Sequence, residues 1–221
     1  MWKTKTDVSE ALRYLGMNNA SDDMSEQVKL VAEQMETKFE PKYLFRIFTL
    51  NKVNSNFQLA GTDLILNGRT AEKMLSECHS VAVFICTLGF EFDSFLRSMQ
   101  ARNMSEAVIA DACGSALVEA GCDEAQGEIK KLFPDMFFTD RFSAGYGDLP
   151  LDIQAKTVRI LDAEKKLGVH LTETLLFNPS KTVSALIGIS DREQGAKIRG
   201  CRYCNLKENC EYRKAGLRCD N

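Results

Sequence analysis

Several motifs that define common enzyme classes are missing from this 221-residue sequence. It contains no G-x-G-x-x-G after a predicted strand, no P-loop, no G-x-S-x-G elbow and no H-E-x-x-H. The sequence therefore lacks the binding loops and catalytic motifs that define dinucleotide-binding proteins, nucleoside-triphosphate-binding proteins, hydrolases of this kind and zinc peptidases. Histidine is scarce as well, and we expect the only two, His79 and His170, to be surface or structural residues rather than catalytic ones.

The sequence also lacks a surplus of positive charge and any long apolar run. Its formal net charge is -3 at pH 7, which argues against a nucleic-acid or anionic-membrane binder, because such proteins need Lys and Arg to neutralise phosphate. No apolar run approaches the roughly 20 residues that span a bilayer, and the start of the chain has no apolar segment typical of a signal peptide. We therefore expect a cytoplasmic protein.

Proline and glycine are too few, and apolar residues too many, for a disordered or collagen-like chain. With 4 Pro, 14 Gly, 44% hydrophobic and 27% charged residues, the composition is that of a globular protein with one sizeable core. We predict one domain over 1–190 and a cysteine-rich tail over 191–221. In a reducing compartment the eight Cys residues are expected to be buried thiols, as we predict for Cys86, or metal ligands.

Hydrophobic periodicity predicts an α+β protein. The predicted helices cover 7–16 with Asp7 as N-cap, 25–39, 70–76 with Thr70 as N-cap, 90–100, 105–132 and 154–167. The predicted strands comprise two or three within 43–66, then 81–89, 171–177 and 182–190. Because helices and strands do not alternate strictly, we predict a twisted, mainly antiparallel sheet with surrounding helices rather than a doubly wound fold.

The predicted helix over 105–132 is rich in Ala, Gly, Ser and Cys. Such small side chains allow another backbone to come close, either at a tight helix crossing or against a bound ligand. Asp111, Ser115 and Glu119 are spaced by four residues and therefore share one stripe of this helix. Taken alone, the stripe is typical of a solvated face.

The last part of the chain has the spacing of a metal site. Cys201, Cys204, Cys210 and Cys219 form C-x2-C-x5-C-x8-C in a segment with few apolar side chains, and four thiolates on a metal would supply the folding free energy that burial cannot. We predict an iron–sulfur cluster in preference to zinc, the alternative being a disordered tail with free thiols. The tail is locally basic, which would offset thiolate charge or dock an acidic electron-transfer partner.

The most informative stretch is the loop RFSAGYGDLP, from Arg141 to Pro150. A guanidinium at the edge of a glycine loop suits a carboxylate through two parallel hydrogen bonds. Gly145 and Gly147 would let the backbone approach a flat ligand around Tyr146. The alternative is a surface turn with Arg141 in an ordinary salt bridge.

With this loop, three further segments carry a family resemblance: AEKKLGVHLTETLLFNPSKTVSALIG after it, DACGSALVEA before it, and ALRYLG near the start. Together they resemble the activation (reactivation) domain of cobalamin-dependent methionine synthase, in a stand-alone form. The resemblance covers most of the chain from Asp7 to about Ser190. The sequence departs from the family at Ala144, where the family usually has proline.

The resemblance implies a twisted antiparallel sheet with surrounding helices that holds S-adenosylmethionine in a shallow surface groove. The family's loop arginine binds the methionyl carboxylate, and that role carries over to Arg141. The resemblance assigns cofactor contacts to the following backbone, at Ser143, Ala144 and Gly145. It places Tyr146 against the corrin ring of a docked partner, which makes Tyr146 the candidate catalytic residue.

Two acidic residues complete the site that the resemblance implies. Glu119, on the polar stripe, matches an acidic position that the family uses near the ligand. Asp135, six residues before Arg141, corresponds to another acidic position.

The implied reaction is reductive methylation, in which cob(II)alamin on a partner receives one electron and a methyl group from S-adenosylmethionine. The D-x-H-x-x-G motif that ligates cobalamin is missing from the sequence, since neither histidine has an Asp two residues before it. The cobalamin is therefore expected to belong to a partner: a cobalamin-binding methionine synthase or another corrinoid protein. The electron would come from a donor such as flavodoxin or ferredoxin, or be relayed by an iron–sulfur cluster in the tail. The alternatives are a non-catalytic, metal-tailed docking module and an iron–sulfur electron carrier.

Overall fold

The computed structural model describes residues 4–17, 19–195, 198, 208–214 and 216. The helices are α1 Val8–Tyr14, α2 Asp22–Lys38, α3 Gly68–Leu75, α4 Gly89–Gln100, α5 Met104–Lys131, α6 Ile153–Leu161, α7 Ala163–Leu167 and α8 Glu211–Lys214. The strands are β1 Lys42–Val53, β2 Asn56–Leu59, β3 Ile65–Leu66, β4 Ser80–Thr87, β5 Phe137–Phe138, β6 His170–Leu171, β7 Phe177–Asn178 and β8 Thr182–Ser190. No helix in these ranges combines the length and apolar character that a membrane crossing needs.

The predicted α+β fold with a mainly antiparallel sheet is confirmed. Six strands form one sheet in the order β3-β2-β1-β4-β8-β5, and β6 and β7 form a separate two-stranded sheet. The pairs β1–β2, β2–β3, β5–β8 and β6–β7 are all antiparallel. Within β4, seven successive residues are buried, as expected for the almost continuously apolar segment predicted there.

Several predicted elements are confirmed, and one of them, α1, is confirmed together with its caps. The side chain of Asp7 accepts a hydrogen bond from the backbone N–H of Ser9 and so caps α1, and Gly16 has a φ of 71° just after that helix. The prediction of two or three strands within 43–66 is confirmed as three. The long helix predicted over 105–132 is α5, shifted by one residue at each end.

Three predicted elements were wrong in detail. Thr70 lies inside α3 and is not its N-cap, a position held by Asn67, which makes no side-chain cap hydrogen bond. The helix predicted over 154–167 is two helices, since Asp162 between them has a φ of 56°. The strand predicted over 171–177 is the hairpin of β6 and β7, which reverses near Leu175, a residue with a φ of 63°. In each case a local turn or a distant partner outweighed the sequence pattern.

The chain divides into two compact units. The first comprises the described residues within 1–45, 84–129 and 158–184, and the second comprises those within 46–83, 130–157 and 185–221. In the first unit, α5 packs closely through its glycines. A Cβ added at Gly114 would lie 2.1 Å from Phe92, and one at Gly121 would lie 2.4 Å from Pro41 and 2.9 Å from the sulfur of Cys86. The small residues of α5 therefore serve tight internal packing, one of the two roles expected for them.

The cysteines of the body are buried thiols, as predicted. Cys78, Cys86, Cys113 and Cys122 are all buried, and none of them forms a disulfide. Burial raises the pKa of the Cys78 thiol to about 11 and that of Cys113 to about 12, so both stay protonated at neutral pH. These thiols are part of the apolar interior.

Candidate functional site

The loop predicted as the binding site begins at a fixed point in the second unit. Phe142 is fully buried and forms an isolated antiparallel bridge with Leu186. The Phe142 N–H donates to the Leu186 carbonyl at 3.1 Å, and the Leu186 N–H donates back at 2.7 Å. Arg141 precedes this bridge, so its backbone position is set by the sheet rather than by the loop.

Arg141 is itself buried, with only 7% of its surface exposed. The residue is therefore not solvent-exposed, and the ordinary salt bridge that the sequence left as an alternative stays open. A desolvated guanidinium makes stronger charge-assisted hydrogen bonds to a carboxylate than an exposed one does, because water no longer competes for it. Any charge-assisted hydrogen bond of Arg141 is therefore little weakened by water.

The loop after Arg141 is a compact series of turns. The N–H of Tyr146 donates to the Ser143 carbonyl at 3.1 Å, and that of Leu149 donates to the Tyr146 carbonyl at 3.0 Å. A third bond, 2.9 Å long, runs from the Gly145 N–H to the Leu149 carbonyl. Gly145 and Gly147 have φ values of 86° and 58°, in the left-handed region that favours glycine. Both predicted loop glycines thus serve turn geometry, and Tyr146 at the tip is 49% exposed.

The far end of the loop is held by Asp148, which sequence reasoning missed. Its carboxylate accepts hydrogen bonds from the backbone N–H groups of Arg69 and Thr70, each at 2.8 Å. Hydrogen bonding with the Thr70 side chain and these two amides lowers the pKa of Asp148 to about 2, so the carboxylate is ionised at neutral pH. No local signal marks this contact, since its partners lie almost eighty positions earlier in the chain.

Five of the predicted cofactor-binding residues lie on one loop, and the other two lie on other elements. Arg141, Ser143, Ala144, Gly145 and Tyr146 lie on one loop of the second unit. Asp135 is exposed on the turn before β5 in the same unit. Glu119 is half-buried on α5, in the first unit.

The polar stripe of α5 is more than a solvated face. Lys181, whose side chain is 13% exposed, lies 2.9 Å from the Asp111 carboxylate and donates to the Ser115 hydroxyl at 2.7 Å. The ion pair and hydrogen bond satisfy a largely buried ammonium. Lys181 belongs to the Asn-Pro-Ser-Lys segment that carried part of the resemblance. Nothing in the sequence pattern indicated that it contacts α5.

The same face of α5 borders a pocket of about 330 Å³ in the first unit, within the size range of small-molecule sites. It is lined by Tyr14, Leu15, Gln100, Met104, Ala107, Val108, Asp111, Ala112 and Ser115. Burial, and then the negative charge of Glu119, raise the pKa of the Tyr14 phenol. Two residues of the polar stripe therefore line this pocket, and the charge of the third acts on its tyrosine.

The predicted metal ligands lie mostly outside the described residues. This holds for Cys201, Cys204 and Cys219, whereas Cys210 is half-buried just before α8. Within the described ranges, no group of three or more His, Cys, Asp or Glu side chains is arranged to hold a metal ion. The four-cysteine site stays a prediction.

The fold defined by these elements is that of an α+β domain with a mainly antiparallel sheet and surrounding helices. A solved structure of this class is described as the crystal structure of the MetH reactivation domain bound to AdoHcy. The two folds superpose with a TM-score of 0.72 at 14% sequence identity, over 97% of this chain and 82% of that chain. No protein-family model matches the sequence, and no curated protein does. The likeness establishes the fold that the resemblance implied.

Proposed function

We propose that this protein binds S-adenosylmethionine at the Arg141 loop and uses it to reactivate a corrinoid cofactor carried by a partner protein. The observation that carries the proposal is the buried Arg141 at the start of a glycine-turned loop. It lies on a fold shared with a reactivation domain that binds AdoHcy. The ligand class follows from pairing this arginine with a fold of that kind.

The proposed complex gives roles to the residues of the loop and to two acidic residues outside it. The Arg141 guanidinium pairs with the methionyl carboxylate through two parallel N–H···O bonds. The backbone at Ser143, Ala144 and Gly145 lies against the ligand. Glu119 and Asp135 are proposed as acidic contacts for the ligand's donors.

Tyr146 is proposed as the residue that faces the corrin ring of the docked partner. Its ring is half-exposed at the loop tip, and the neighbouring Leu151 is also exposed. Such side chains offer an apolar contact to a flat macrocycle. The partner proposed is a cobalamin-binding methionine synthase or another corrinoid protein.

The proposed reaction is a one-electron reduction followed by methyl transfer. A donor of the flavodoxin or ferredoxin class reduces cob(II)alamin to cob(I)alamin. The cobalt nucleophile then takes the methyl group, so that the S–C bond breaks, a Co–C bond forms and S-adenosylhomocysteine leaves. This transfer needs no general acid or base. The protein contributes position, holding the methyl group in line with cobalt, which agrees with the scarcity of histidine.

The first test is isothermal titration of S-adenosylmethionine into the full chain, with methionine as the matched control ligand. We expect saturable binding of S-adenosylmethionine and much weaker binding of methionine, since methionine lacks the adenosyl group and the sulfonium charge. A binding-competent protein should then methylate a chemically reduced free corrinoid, followed by its visible spectrum. A folded protein that binds neither ligand would contradict the proposal.

We further propose that Cys201, Cys204, Cys210 and Cys219 hold an iron–sulfur cluster. Anaerobically purified protein should contain stoichiometric iron and give an EPR signal on reduction, and replacing Cys201 and Cys204 by serine should abolish both. The buried Cys113→Ala change is the matched control and should keep the metal. Stoichiometric zinc without iron would refute the cluster and leave a structural clip, and a metal-free tail would refute the site.

A further inference from the structure

Asp148 makes several hydrogen bonds with the start of α3. Two of the first backbone N–H groups of that helix, those of Arg69 and Thr70, each donate to a different oxygen of its carboxylate. In return, the N–H of Asp148 donates to the Thr70 hydroxyl at 3.3 Å. Together these bonds form a reciprocal capping arrangement, of the kind usually made within one helix, between residues 78 positions apart.

This contact supplies the cap that α3 lacks locally. Asn67 occupies the N-cap position without making a side-chain hydrogen bond, so the first amides of α3 need another acceptor. A carboxylate satisfies two of them and also interacts favourably with the positive end of the helix dipole. The loop and the helix are therefore stabilised by the same group.

The two segments meet closely at two glycines. A Cβ added at Gly147 would lie 2.2 Å from the Thr70 hydroxyl oxygen, and one at Gly68 would lie 3.0 Å from the Asp148 carboxylate. Both glycines also have positive φ values. Gly68 and Gly147 therefore allow the loop to approach α3 closely.

We propose that Asp148 is the positioning residue of the Arg141 loop. The loop is fixed at its start by the bridge between Phe142 and Leu186, and Asp148 fixes its far end on α3. Between these two points lie the turns that place Ser143 to Tyr146. Asp148 acts on the ligand only through this loop, so the inference rests on the proposed function for its effect on binding, but not for its effect on loop order.

Loop order is measured first, without ligand, by amide hydrogen exchange at Gly145, Tyr146 and Leu149. The Asp148→Ala variant is expected to exchange these amides about five- to tenfold faster, as the loss of a capping interaction implies. Asp152→Ala, which removes an exposed carboxylate four residues further along, should leave the exchange unchanged. Unchanged exchange in Asp148→Ala would overturn the proposal.

Binding of S-adenosylmethionine is measured next. Asp148→Ala should weaken it about five- to tenfold, because the turns that place Ser143 to Gly145 against the ligand would no longer be held on α3, and Asp152→Ala should leave it unchanged. Unchanged affinity in a folded Asp148→Ala protein whose loop exchanges faster would overturn the positioning role in binding and leave Asp148 as a structural cap of α3. If the wild type binds no ligand while the exchange result holds, the proposed function fails and the positioning role of Asp148 stands.

A second pair of variants covers the case in which Asp148→Ala does not fold. Thr70→Val removes the hydroxyl from the other side of the contact at almost constant shape, and Thr70→Ser keeps it. We expect faster exchange at Tyr146 and Leu149 in the valine variant and wild-type exchange in the serine variant. Equal exchange in the two variants would contradict a reciprocal contact.

Discussion

Replacing Arg141 by alanine is expected to weaken S-adenosylmethionine binding by at least about tenfold. The change removes a charge-assisted pair with the ligand carboxylate, an interaction of about 1.5–3 kcal/mol, and tenfold corresponds to about 1.4 kcal/mol. Because Arg141 is buried, little solvent screening reduces the effect. Isothermal titration of wild type and variant under the same conditions measures the difference directly.

Two further variants separate the role of the guanidinium from that of charge or folding. Arg141→Lys keeps the positive charge but loses the planar fork, so binding should remain several-fold weaker than in the wild type. Arg102→Ala removes an exposed arginine just after α4 and should leave the affinity unchanged. Wild-type affinity in a folded Arg141→Ala protein would place the ligand carboxylate elsewhere.

Replacing Gly114 by alanine is expected to destabilise the protein by roughly 1–3 kcal/mol, through overpacking. The added Cβ would lie 2.1 Å from the tip of the Phe92 ring, well inside van der Waals contact. Phe92 is fully buried and packs edge-on against Phe39, with ring centroids 5.1 Å apart. The ring therefore cannot move without disturbing its neighbour, and urea unfolding should show a lower midpoint.

The matched control for this change is Gly127→Ala on the same helix. A Cβ at Gly127 meets nothing within 4 Å, so the substitution should stabilise the protein by about 0.5–1 kcal/mol, through helix propensity alone. The two variants make the same chemical change and should shift the unfolding midpoint in opposite directions. A shift in the same direction would show that α5 does not pack on Phe92 as described.

Much of the secondary structure was predictable because it depends on local chemistry. The Asp7 cap and the left-handed Gly16 define α1 within a few residues of sequence. The almost continuously apolar β4 and the small-residue α5 are equally local patterns. From these elements alone, the mainly antiparallel α+β class follows, since strands and helices do not alternate.

The candidate site was predictable only in part. The glycine loop after Arg141 identified itself by composition and by its resemblance to a known family. Three features of the site had no signal in the sequence: the burial of Arg141, the ion pair of Lys181 with Asp111, and the hydrogen bonds of Asp148 to α3. These features join residues that lie far apart along the chain.

The sequence by itself determined where most of the helices and strands lie and which loop carries the candidate binding residues. It did so through hydrophobic period, capping residues and glycine turns, which act over a few positions. Only the tertiary structure decided that α3 is capped by Asp148 rather than by Thr70, and that the segment over 171–177 turns back on itself instead of extending. Hydrogen bonds and packing between distant segments decide such features, and their free energies exceed the weak local preferences that a sequence pattern reveals.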